Sequence, residues 1–495
     1  MKNIFKALAL SATLLLGVTS CTGDFDEINT NPNAYSSVPN TNILANILRY
    51  SAGQWTCLDI EQWAGHVAAI QYLNAYQDYI PTNNTYGNRW YLAYYAYTQM
   101  NAILENTEDN AEGNKNMRNV AKLWQVYMMY LNTTCFGKMP FTEAFQGPEI
   151  LEPVYDSEET IYTSLLATLK EIGDSWASGF GSDALGDGDF MYDGDIAKWQ
   201  KFCNSLRVKM AMQISNVYSQ SKSIVEEVIN NPSRYPMITE NDESLIFWWQ
   251  GTSPYYEPWY DNYRTRDDDG MAQIFIDHLK KMNDPRLAVY AIPATKDGEY
   301  RGAENGALGN FADISVFSRI GAKFRKDPKG FTPYYRANET YFLIAEAALK
   351  GWTTPMSAEE AYIKGVELNM EENEVDEADV EAYLNGPGKF DGSLEMLYNE
   401  MWVSYFKQGI SSWTMYRRTG YPLYIQSAKA ADGVTQQYPG ARAAQWGSHN
   451  DVPFRFPYPQ NQYSYNTANV EAAAAGFVDH VWGEQMWWDT RTGVH

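Results

Sequence analysis

The chain has 495 residues and a formal net charge of −23, and hydrophobic residues make up 45% of it. This length and composition predict a globular protein with a large core and more than one lobe, and they exclude a disordered chain. The acidic charge repels phosphate groups and argues against nucleic-acid binding. Aromatic residues reach 15%, including 37 Tyr and 16 Trp, and such a surplus is typical of surfaces that recognise a ligand.

Residues 1–20 form a predicted lipoprotein signal peptide rather than part of the fold. Lys2 and Lys6 precede a short apolar run, which is too short for a membrane-spanning helix. The ending VTSC (18–21) resembles a bacterial lipobox, in which cleavage before the cysteine leaves that residue to carry the lipid. We therefore predict lipidation at Cys21, and an ordinary secretory signal is the alternative.

A polar, turn-rich tether is predicted over residues 21–40, and helical periodicity follows it. Apolar side chains recur on one helical face from Leu123 to Leu131, from Ile161 to Leu169 and from Trp199 to Ile214. Two helix starts carry capping signals, Asp156-Ser157 and the run Ser357-Ala358-Glu359-Glu360. Two later helices are predicted at Glu339 to Lys350 and at Leu394 to Phe406.

Paired helices of this length predict a mainly α fold built from tetratricopeptide-like pairs. The helical signal weakens between residues 237 and 332, apart from one helix around Gly270 to Met282, and it weakens again from 421 onward. The pattern therefore divides residues 41–495 into a helical scaffold and a loop-rich, ligand-facing second lobe. The predicted boundaries are about 41–236 and 333–420 for the scaffold and about 237–332 and 421–495 for the lobe.

Sequence motifs of common catalytic and cofactor sites are missing, including GxSxG, HExxH, GxGxxG and the P-loop. Cys57, Cys135 and Cys203 are widely spaced without a CxxC and are interpreted as small buried residues. The acidic run LGDGDFMYDGD (185–195) is similar to a calcium loop but lacks the closing Glu, so a turn leading into a helix at Ile196 is favoured. We predict no catalytic residue, no metal site and no cofactor.

The segment WWQGTSPYYEPWYDNY (248–263) contains seven Trp or Tyr residues at irregular spacing, interrupted by Gly and Pro. This pattern predicts an irregular segment rather than a helix or strand. Any single aromatic residue is more often buried in a core than exposed. A loop rich in amphipathic rings, however, can form a binding surface on a rigid scaffold.

We predict that this segment supplies a stacking platform drawn from Trp248, Trp249, Tyr255, Tyr256, Trp259 and Tyr260. Trp248 and Trp249 continue an apolar run, which makes them the better candidates for the core. Trp259 and Tyr260 lie beyond both prolines of the segment and are the better candidates for solvent-facing rings. We expect that two or three of the rings contact ligand.

A second candidate is the predicted loop LNAYQDYIPTNNTYGNRW (73–90), in which Tyr86 and Trp90 are accompanied by Asn88 and Arg89. Its rings and its amide and guanidinium groups could contact a ligand together.

Several motifs, in order along the chain, resemble the SusD/RagB family of outer-membrane nutrient-binding lipoproteins of Bacteroidetes, and its starch-binding branch in particular. They are CFGKMPFTEAFQG (135–147), YDGDIAKWQKFCNSLRVKMAMQIS (192–215), YFLIAEAALKGW (341–352) and RRTGYP (417–422). The resemblance implies tetratricopeptide-like helical pairs supporting a loop-rich lobe, without catalysis. It also implies attachment to the cell surface, capture of oligosaccharides or, in some members, of peptides, and a SusC-type TonB-dependent β-barrel transporter as partner.

An oligosaccharide ligand, as the resemblance implies, would explain the surplus of aromatic residues. Flat rings cover the apolar face of a sugar, and amide or guanidinium groups pair with its hydroxyls. Covering about 100 Å² of such a face gives on the order of 2 to 3 kcal/mol before the entropic cost of association. The expected affinity is therefore micromolar to millimolar.

Three functions are compatible with these observations. The first is capture of oligosaccharides for delivery to the transporter, which the surplus of flat rings favours. The second is capture of oligopeptides by the same architecture. Peptide binding relies more on backbone hydrogen bonds than on rings, so the aromatic surplus supports it less. The third is a surface glycoside hydrolase, which would need two carboxylates facing each other in a cleft.

Overall fold

The computed structural model describes residues 38–55, 58–72, 83–108, 112–305, 311–423, 449 and 451–495. The predicted signal peptide, most of the predicted tether, Cys21 and Cys57 lie outside these residues. Helices dominate the first half of the described chain: α1 (Asn40–Trp55), α2 (Leu58–Trp63), α3 (Asn83–Glu105), α4 (Lys115–Phe136), α5 (Glu158–Ala177), α6 (Ile196–Gln213), α7 (Ser221–Ile229) and α8 (Pro258–Tyr263).

The second half is helical as well, and the mainly α prediction is confirmed. Its helices are α9 (Gln273–Lys281), α10 (Leu287–Tyr290), α11 (Ala322–Arg325), α12 (Ala337–Leu349), α13 (Ala358–Glu372), α14 (Glu377–Asn385), α15 (Leu394–Ser404), α16 (Gly409–Thr419), α17 (Gln462–Tyr465) and α18 (Thr467–Ala473). Single 3₁₀ turns occur at Gly147–Glu149, Gly186–Gly188, Asn241–Glu243 and Ile314–Val316.

Short antiparallel strand pairs connect the helical layers. The strands are β1 (Val67–Ala69), β2 (Met139–Pro140), β3 (Tyr155–Asp156), β4 (Leu245–Trp248), β5 (Asp269–Met271), β6 (Ala291–Ile292), β7 (Arg319–Ile320) and β8 (Phe331–Tyr335). They pair as β1 with β5, β2 with β3, β4 with β8 and β6 with β7. In the longest pair Trp248 lies opposite Phe331, and the register shifts between Leu245 and Ile246.

Local capping signals set several helix starts as the sequence predicts. The Ser157 side chain accepts a hydrogen bond from Thr160 N at the start of α5. Ser357 and Glu360 form a reciprocal capping box at the start of α13. Each cap satisfies backbone N–H groups that the first helical turn leaves unpaired.

The acidic run before α6 is a tight turn that leads into the helix at Ile196, as predicted. The buried Asp189 carboxylate accepts hydrogen bonds from three backbone N–H groups of the turn and from Trp199 Nε1, the last at 2.8 Å. Asp195 then caps α6 by accepting from Lys198 N. Four donors on one carboxylate hold the turn rigidly against α6, which carries Trp199.

Successive helices pack in pairs, α3 with α4, α5 with α6 and α12 with α13, around a continuous core. Fully buried indoles fill this core, at Trp63, Trp124, Trp199, Trp402, Trp413 and Trp488. α1 packs on α3 and on the turn Gly186–Gly188, where Thr41 Oγ1 accepts from Gly188 N at 2.9 Å. A Cβ on Gly188 would lie 2.0 Å from the Thr41 carbonyl oxygen, so this close approach requires glycine.

Candidate functional site

The aromatic segment 248–263 is more regular than the sequence suggests, and the prediction of an irregular segment is wrong at both of its ends. Its first residue closes strand β4, and its last six form helix α8. Pro258 occupies the first turn of α8, where its fixed φ suits a helix and its missing N–H costs nothing. Glu257 is the N-cap and accepts from Tyr260 N at 2.8 Å.

Trp259 is core, so the expectation of a solvent-facing ring is wrong there. Its side chain is 1% exposed and packs edge-on against Phe406, with ring centroids 5.9 Å apart. Lys407 Nζ lies 4.8 Å from the indole centroid and 3.0 Å from the Glu257 Oε1 atom. α8 is thus held inward by a fully buried ion pair at its cap, and the first helical turn carries Trp259 with it.

Burial of this ion pair also shifts a proton equilibrium. Desolvation lowers the pKa of the Lys407 ammonium, and the adjacent Glu257 carboxylate opposes that shift. The two groups stabilise each other only as a pair, because either charge alone would be buried without a partner.

The two adjacent tryptophans, Trp248 and Trp249, differ in their exposure to solvent. Trp248 is 59% exposed, so its predicted place in the core is wrong, whereas Trp249 is buried as expected and donates from Nε1 to Thr332 Oγ1 at 3.0 Å. Strand alternation explains the outward ring, because Leu245 and Phe247 of β4 point to the core and Trp248 points the other way. The exposed indole rests on Phe331 of β8, with centroids 5.4 Å apart.

Three of the four tyrosines of the segment, which were predicted to contact ligand, lie at the surface. Tyr255 is 37% exposed, and Tyr256 and Tyr260 are half-buried with ring centroids 5.5 Å apart. The Arg264 guanidinium lies 4.5 Å from the Tyr256 centroid. Their predicted role in ligand binding stays a prediction.

The second predicted loop divides at residue 83, because residues 73–82 lie outside the described residues and the rest begins helix α3. Tyr86, Arg89 and Trp90 are buried, so the expectation that they lie on a surface loop is wrong. Trp90 packs edge-on against Phe136 of α4, and Arg89 Nη2 donates to Asp59 Oδ1 at 2.9 Å.

Burial has one further effect in this segment. It raises the pKa of the Tyr86 hydroxyl, and Tyr463 adds to that shift. Asn88 is exposed and stays a candidate for contact with ligand.

Helix α3 exposes other tyrosines, which the sequence reasoning missed. Tyr91 and Tyr95 are 41% and 43% exposed and lie one turn apart on its outer face. Tyr50 of α1 meets Tyr95 edge-on, with ring centroids 5.6 Å apart. Helical spacing is the signal that could have found them, since positions 86 and 90 share one face and positions 91 and 95 share the next.

A chain of contacts joins these rings to the aromatic segment. Asn46 Nδ2 lies 3.5 Å from the Tyr95 hydroxyl, and Arg49 Nη2 lies 3.5 Å from Asn46 Oδ1. The Arg49 guanidinium in turn lies 5.3 Å from the Tyr255 centroid. A second cluster in the same segment consists of Tyr256, Tyr260 and Arg264. We call the two clusters together the tyrosine platform, which comprises Tyr50, Tyr91, Tyr95, Tyr255, Tyr256 and Tyr260 with the polar side chains of Asn46, Arg49 and Arg264.

Among the described residues, the other groups that could react or bind a metal ion are buried or are not clustered. Cys135 and Cys203 are buried free thiols, as expected, and burial raises the pKa of Cys135 to about 12. Across the described ranges, no group of three or more His, Cys, Asp or Glu side chains is arranged to hold a metal ion. In the same part of the chain, no helix combines the length and the apolar character that crossing a membrane requires.

Comparison with known proteins identifies relatives of the whole architecture. A SusD-like family model, described as "Starch-binding associating with outer membrane", matches residues 32–444 and confirms the resemblance carried by the sequence motifs. No curated protein is detectably similar to the chain in sequence.

Solved structures match over nearly the whole chain. A chitin-binding protein superposes with a TM-score of 0.76 at 23% identity, covering 92% of this chain and 100% of its own. A SusD-like protein from Bacteroides thetaiotaomicron gives 0.74 at 23% identity, with the same coverage. A chitin-binding SusD homolog from Flavobacterium johnsoniae gives 0.74 at 22% identity, covering 91% and 98%. These likenesses show the fold.

Proposed function

Because the chain belongs to the SusD-like family, we propose that it is a cell-surface glycan-binding lipoprotein of the outer membrane that captures oligosaccharides without cleaving them. It delivers them to a SusC-type TonB-dependent transporter. The family description names starch binding and the outer membrane, and two of the similar structures are chitin-binding proteins. The observation that carries the proposal is the tyrosine platform.

The platform has the chemistry that a sugar requires. Its tyrosine rings offer flat apolar faces for the C–H groups of a pyranose, and their hydroxyls remain near water. Arg49 and Asn46 lie between the rings and supply donors for sugar hydroxyls. The rings come from α1, α3 and the aromatic segment 248–263, so they belong to both the scaffold and the lobe that we propose for this chain.

The expected affinity follows from the exposed area. A ring that is already about two-fifths exposed buries little more than one of its faces when a sugar stacks on it. Several such rings together therefore support micromolar to millimolar binding. Weak capture suits a protein that passes its ligand on to a transporter.

The test is calorimetric titration of the Tyr95→Ala/Tyr255→Ala variant with a panel of oligosaccharides, starting with starch- and chitin-derived oligomers. We expect binding to at least one oligosaccharide in the wild type and a loss of ten-fold or more in the variant. Tyr465→Ala is the matched control, because Tyr465 is an exposed tyrosine outside the platform. Unchanged affinity in the double variant, or binding of oligopeptides instead of sugars, contradicts the proposal.

Attachment and partnership need separate tests. Cys21→Ala should release the protein from the outer-membrane fraction, since two or three acyl chains on one cysteine anchor stably and none remain without it. Purification from native membranes in mild detergent should recover a large β-barrel protein in about equal amount. A variant that stays membrane-bound after a salt wash, or recovery of this protein alone, contradicts the respective part of the proposal.

A further inference from the structure

A separate cleft opens between the turn before α6 and the outward face of β4. Its volume is about 740 Å³, which is within the range of ligand sites. Two exposed aromatic side chains, Phe190 and Trp248, form part of its wall. Among the described residues the Trp248 indole N–H has no hydrogen-bond partner, so both a flat face and a donor are presented at the opening.

The cleft is distinct from the tyrosine platform. Thr41 at the start of α1 contacts the turn Gly186–Gly188 beside the cleft, whereas Arg49 on the same helix lies over Tyr255 of the platform. Eight residues at 1.5 Å per residue separate the two contacts by about 12 Å along the helix. A ligand group in the cleft is therefore recognised by different side chains from a group on the platform.

The polar groups of the cleft differ in whether they already have hydrogen-bond partners. Its main side-chain donors are engaged, since Lys198 Nζ donates to the Asp242 carbonyl oxygen at 2.6 Å and Asn241 Nδ2 donates to the Leu368 carbonyl oxygen at 3.0 Å. Asp187 and Asp193 also line the cleft, and their carboxylates are exposed and make no hydrogen bond or ion pair with the described residues. The site has spare acceptors and negative charge.

Aromatic faces beside uncompensated carboxylates suit a cation attached to a ring. An ammonium group can lie against the indole face and pair with the carboxylates at the same time. A neutral sugar would use the indole but would gain no ion pair from the two carboxylates, which would stay hydrated. The hydrogen bonds to Asp189 fix the backbone of the turn that carries Asp187 and Asp193, so both residues line the cleft before ligand arrives.

We propose that this cleft is a second binding site, selective for the free amino group of an amino sugar within a glycan, with Trp248 as the stacking ring and Asp187 and Asp193 as the counter-charges. The inference rests on the proposed function only in taking a glycan as the ligand. It predicts that the protein distinguishes glucosamine oligomers from their N-acetylated counterparts, because acetylation removes the charge.

The test compares β-1,4-linked glucosamine tetramer with N-acetylglucosamine tetramer by calorimetry, at mildly acidic pH where the amines are protonated. The Asp187→Asn/Asp193→Asn variant keeps the shape of both side chains and removes both charges. Asn is tolerated at position 193, where φ is +52°. We expect this variant to bind the glucosamine tetramer at least ten-fold more weakly, with no change for the acetylated tetramer.

Two further variants identify the stacking ring and the general effect of charge. Trp248→Ala should also weaken binding of the glucosamine tetramer, with little change in melting temperature because the ring is exposed. Asp379→Asn is the matched control, since Asp379 is an exposed aspartate on α14, outside the cleft lining. Added salt should weaken wild-type binding more than binding by the doubly substituted variant.

Specific outcomes overturn the inference. They are equal affinity of the wild type for the two tetramers, unchanged binding in the Asp187→Asn/Asp193→Asn variant, or equally tight binding of a lysine tripeptide, which carries ammonium groups without sugar rings. The outcomes are separable from those of the platform. Tyr95→Ala/Tyr255→Ala should keep the preference for the free amine even if it loses neutral sugars, and failure of the cleft alone leaves platform binding intact.

Discussion

Two neighbouring parts of the aromatic segment 248–263 differ in their exposure to solvent. Tyr255 is at the surface on the tyrosine platform, whereas Trp259, four residues later, is almost completely buried. Between them lies Glu257, whose carboxylate caps α8 and pairs with the buried Lys407 ammonium. The buried ion pair at the helix start holds Trp259 inward, and the exposed Trp248 of the same segment shows that the kind of ring alone does not decide burial.

The same division occurs within helix α3. Trp90 fills the interface with α4, and its neighbour Tyr91 faces solvent. Adjacent helical positions are separated by about 100° around the axis, so a run of aromatic residues covers both faces at once. In both places a rigid aromatic interior supports an aromatic surface, and variants of each side should therefore have separable effects on stability and on binding.

Removing the buried ring should have the largest effect. Trp259→Ala should lower the free energy of unfolding by about 3 to 5 kcal/mol, because it leaves a large cavity beside Phe406 and Lys407. Urea unfolding measures the loss, and Tyr255→Ala is the matched control, which should change stability little. Similar stability losses for the two variants would remove the distinction between the two parts of the segment.

Breaking the buried ion pair should have a nearly equal effect. Lys407→Met leaves the Glu257 carboxylate buried without its counter-charge, which costs about 3 to 5 kcal/mol. The Glu257→Gln/Lys407→Met variant should recover part of that stability, since it removes both charges and keeps an acceptor at the cap. Thermal unfolding of both variants decides the point, and an unaffected single variant contradicts a structural role for the pair.

Acidity should act on the interior and spare the platform. Burial raises the pKa of Glu158 to about 7 from its usual 4.5, against opposing shifts from Trp487 N–H and two arginines. Between these values the folded state holds the proton more tightly than the unfolded state, so the stability contribution present at low pH is lost as pH rises through about 7. The contribution is at most about 3 kcal/mol.

Glu158→Gln isolates this contribution from those of other buried groups. The difference in unfolding free energy between wild type and variant should decrease from about pH 4.5 to about pH 7 and then level off. Denaturant titrations across that range measure it. A difference that does not vary with pH would show that Glu158 titrates normally.

The smallest effect is expected at the polar link of the platform. Arg49→Met keeps most of the side-chain length but removes the guanidinium beside Tyr255, and it should weaken oligosaccharide binding a few-fold, or by about 0.5 to 1 kcal/mol. Arg234→Met is the matched control, because Arg234 lies similarly over Tyr235, a residue outside the platform. Equal effects of the two substitutions on affinity, measured by calorimetry, would exclude a local role for Arg49.

Local signals in the sequence were sufficient for part of the structure. The caps at Ser157 and Ser357 and the turn into α6 depend on residues within one helical turn, and all of them were predicted. The burial of Trp259 depends on Lys407, which is distant in the chain and carries a charge that is normally exposed. No pattern inside segment 248–263 indicates that Lys407 is the partner of this segment.

The candidate site was predicted less well than the fold. The outward ring of Trp248 depends on the register of β4 against β8, which a four-residue strand does not encode by itself. Tyr91 and Tyr95, by contrast, were within reach of the sequence, because the periodicity that buries Tyr86 and Trp90 also turns them outward.

The two-faced helix α3 has a consequence for how such a protein can evolve. Its inner aromatic residues stabilise the scaffold, and the exposed positions 91 and 95 are not needed for this. Substitutions at these two positions therefore cost little folding stability. A chitin-binding protein of 23% identity still superposes with a TM-score of 0.76, so the fold persists through extensive sequence change. Positions 91 and 95 are places where such change can alter the surface while the frame beneath it stays intact.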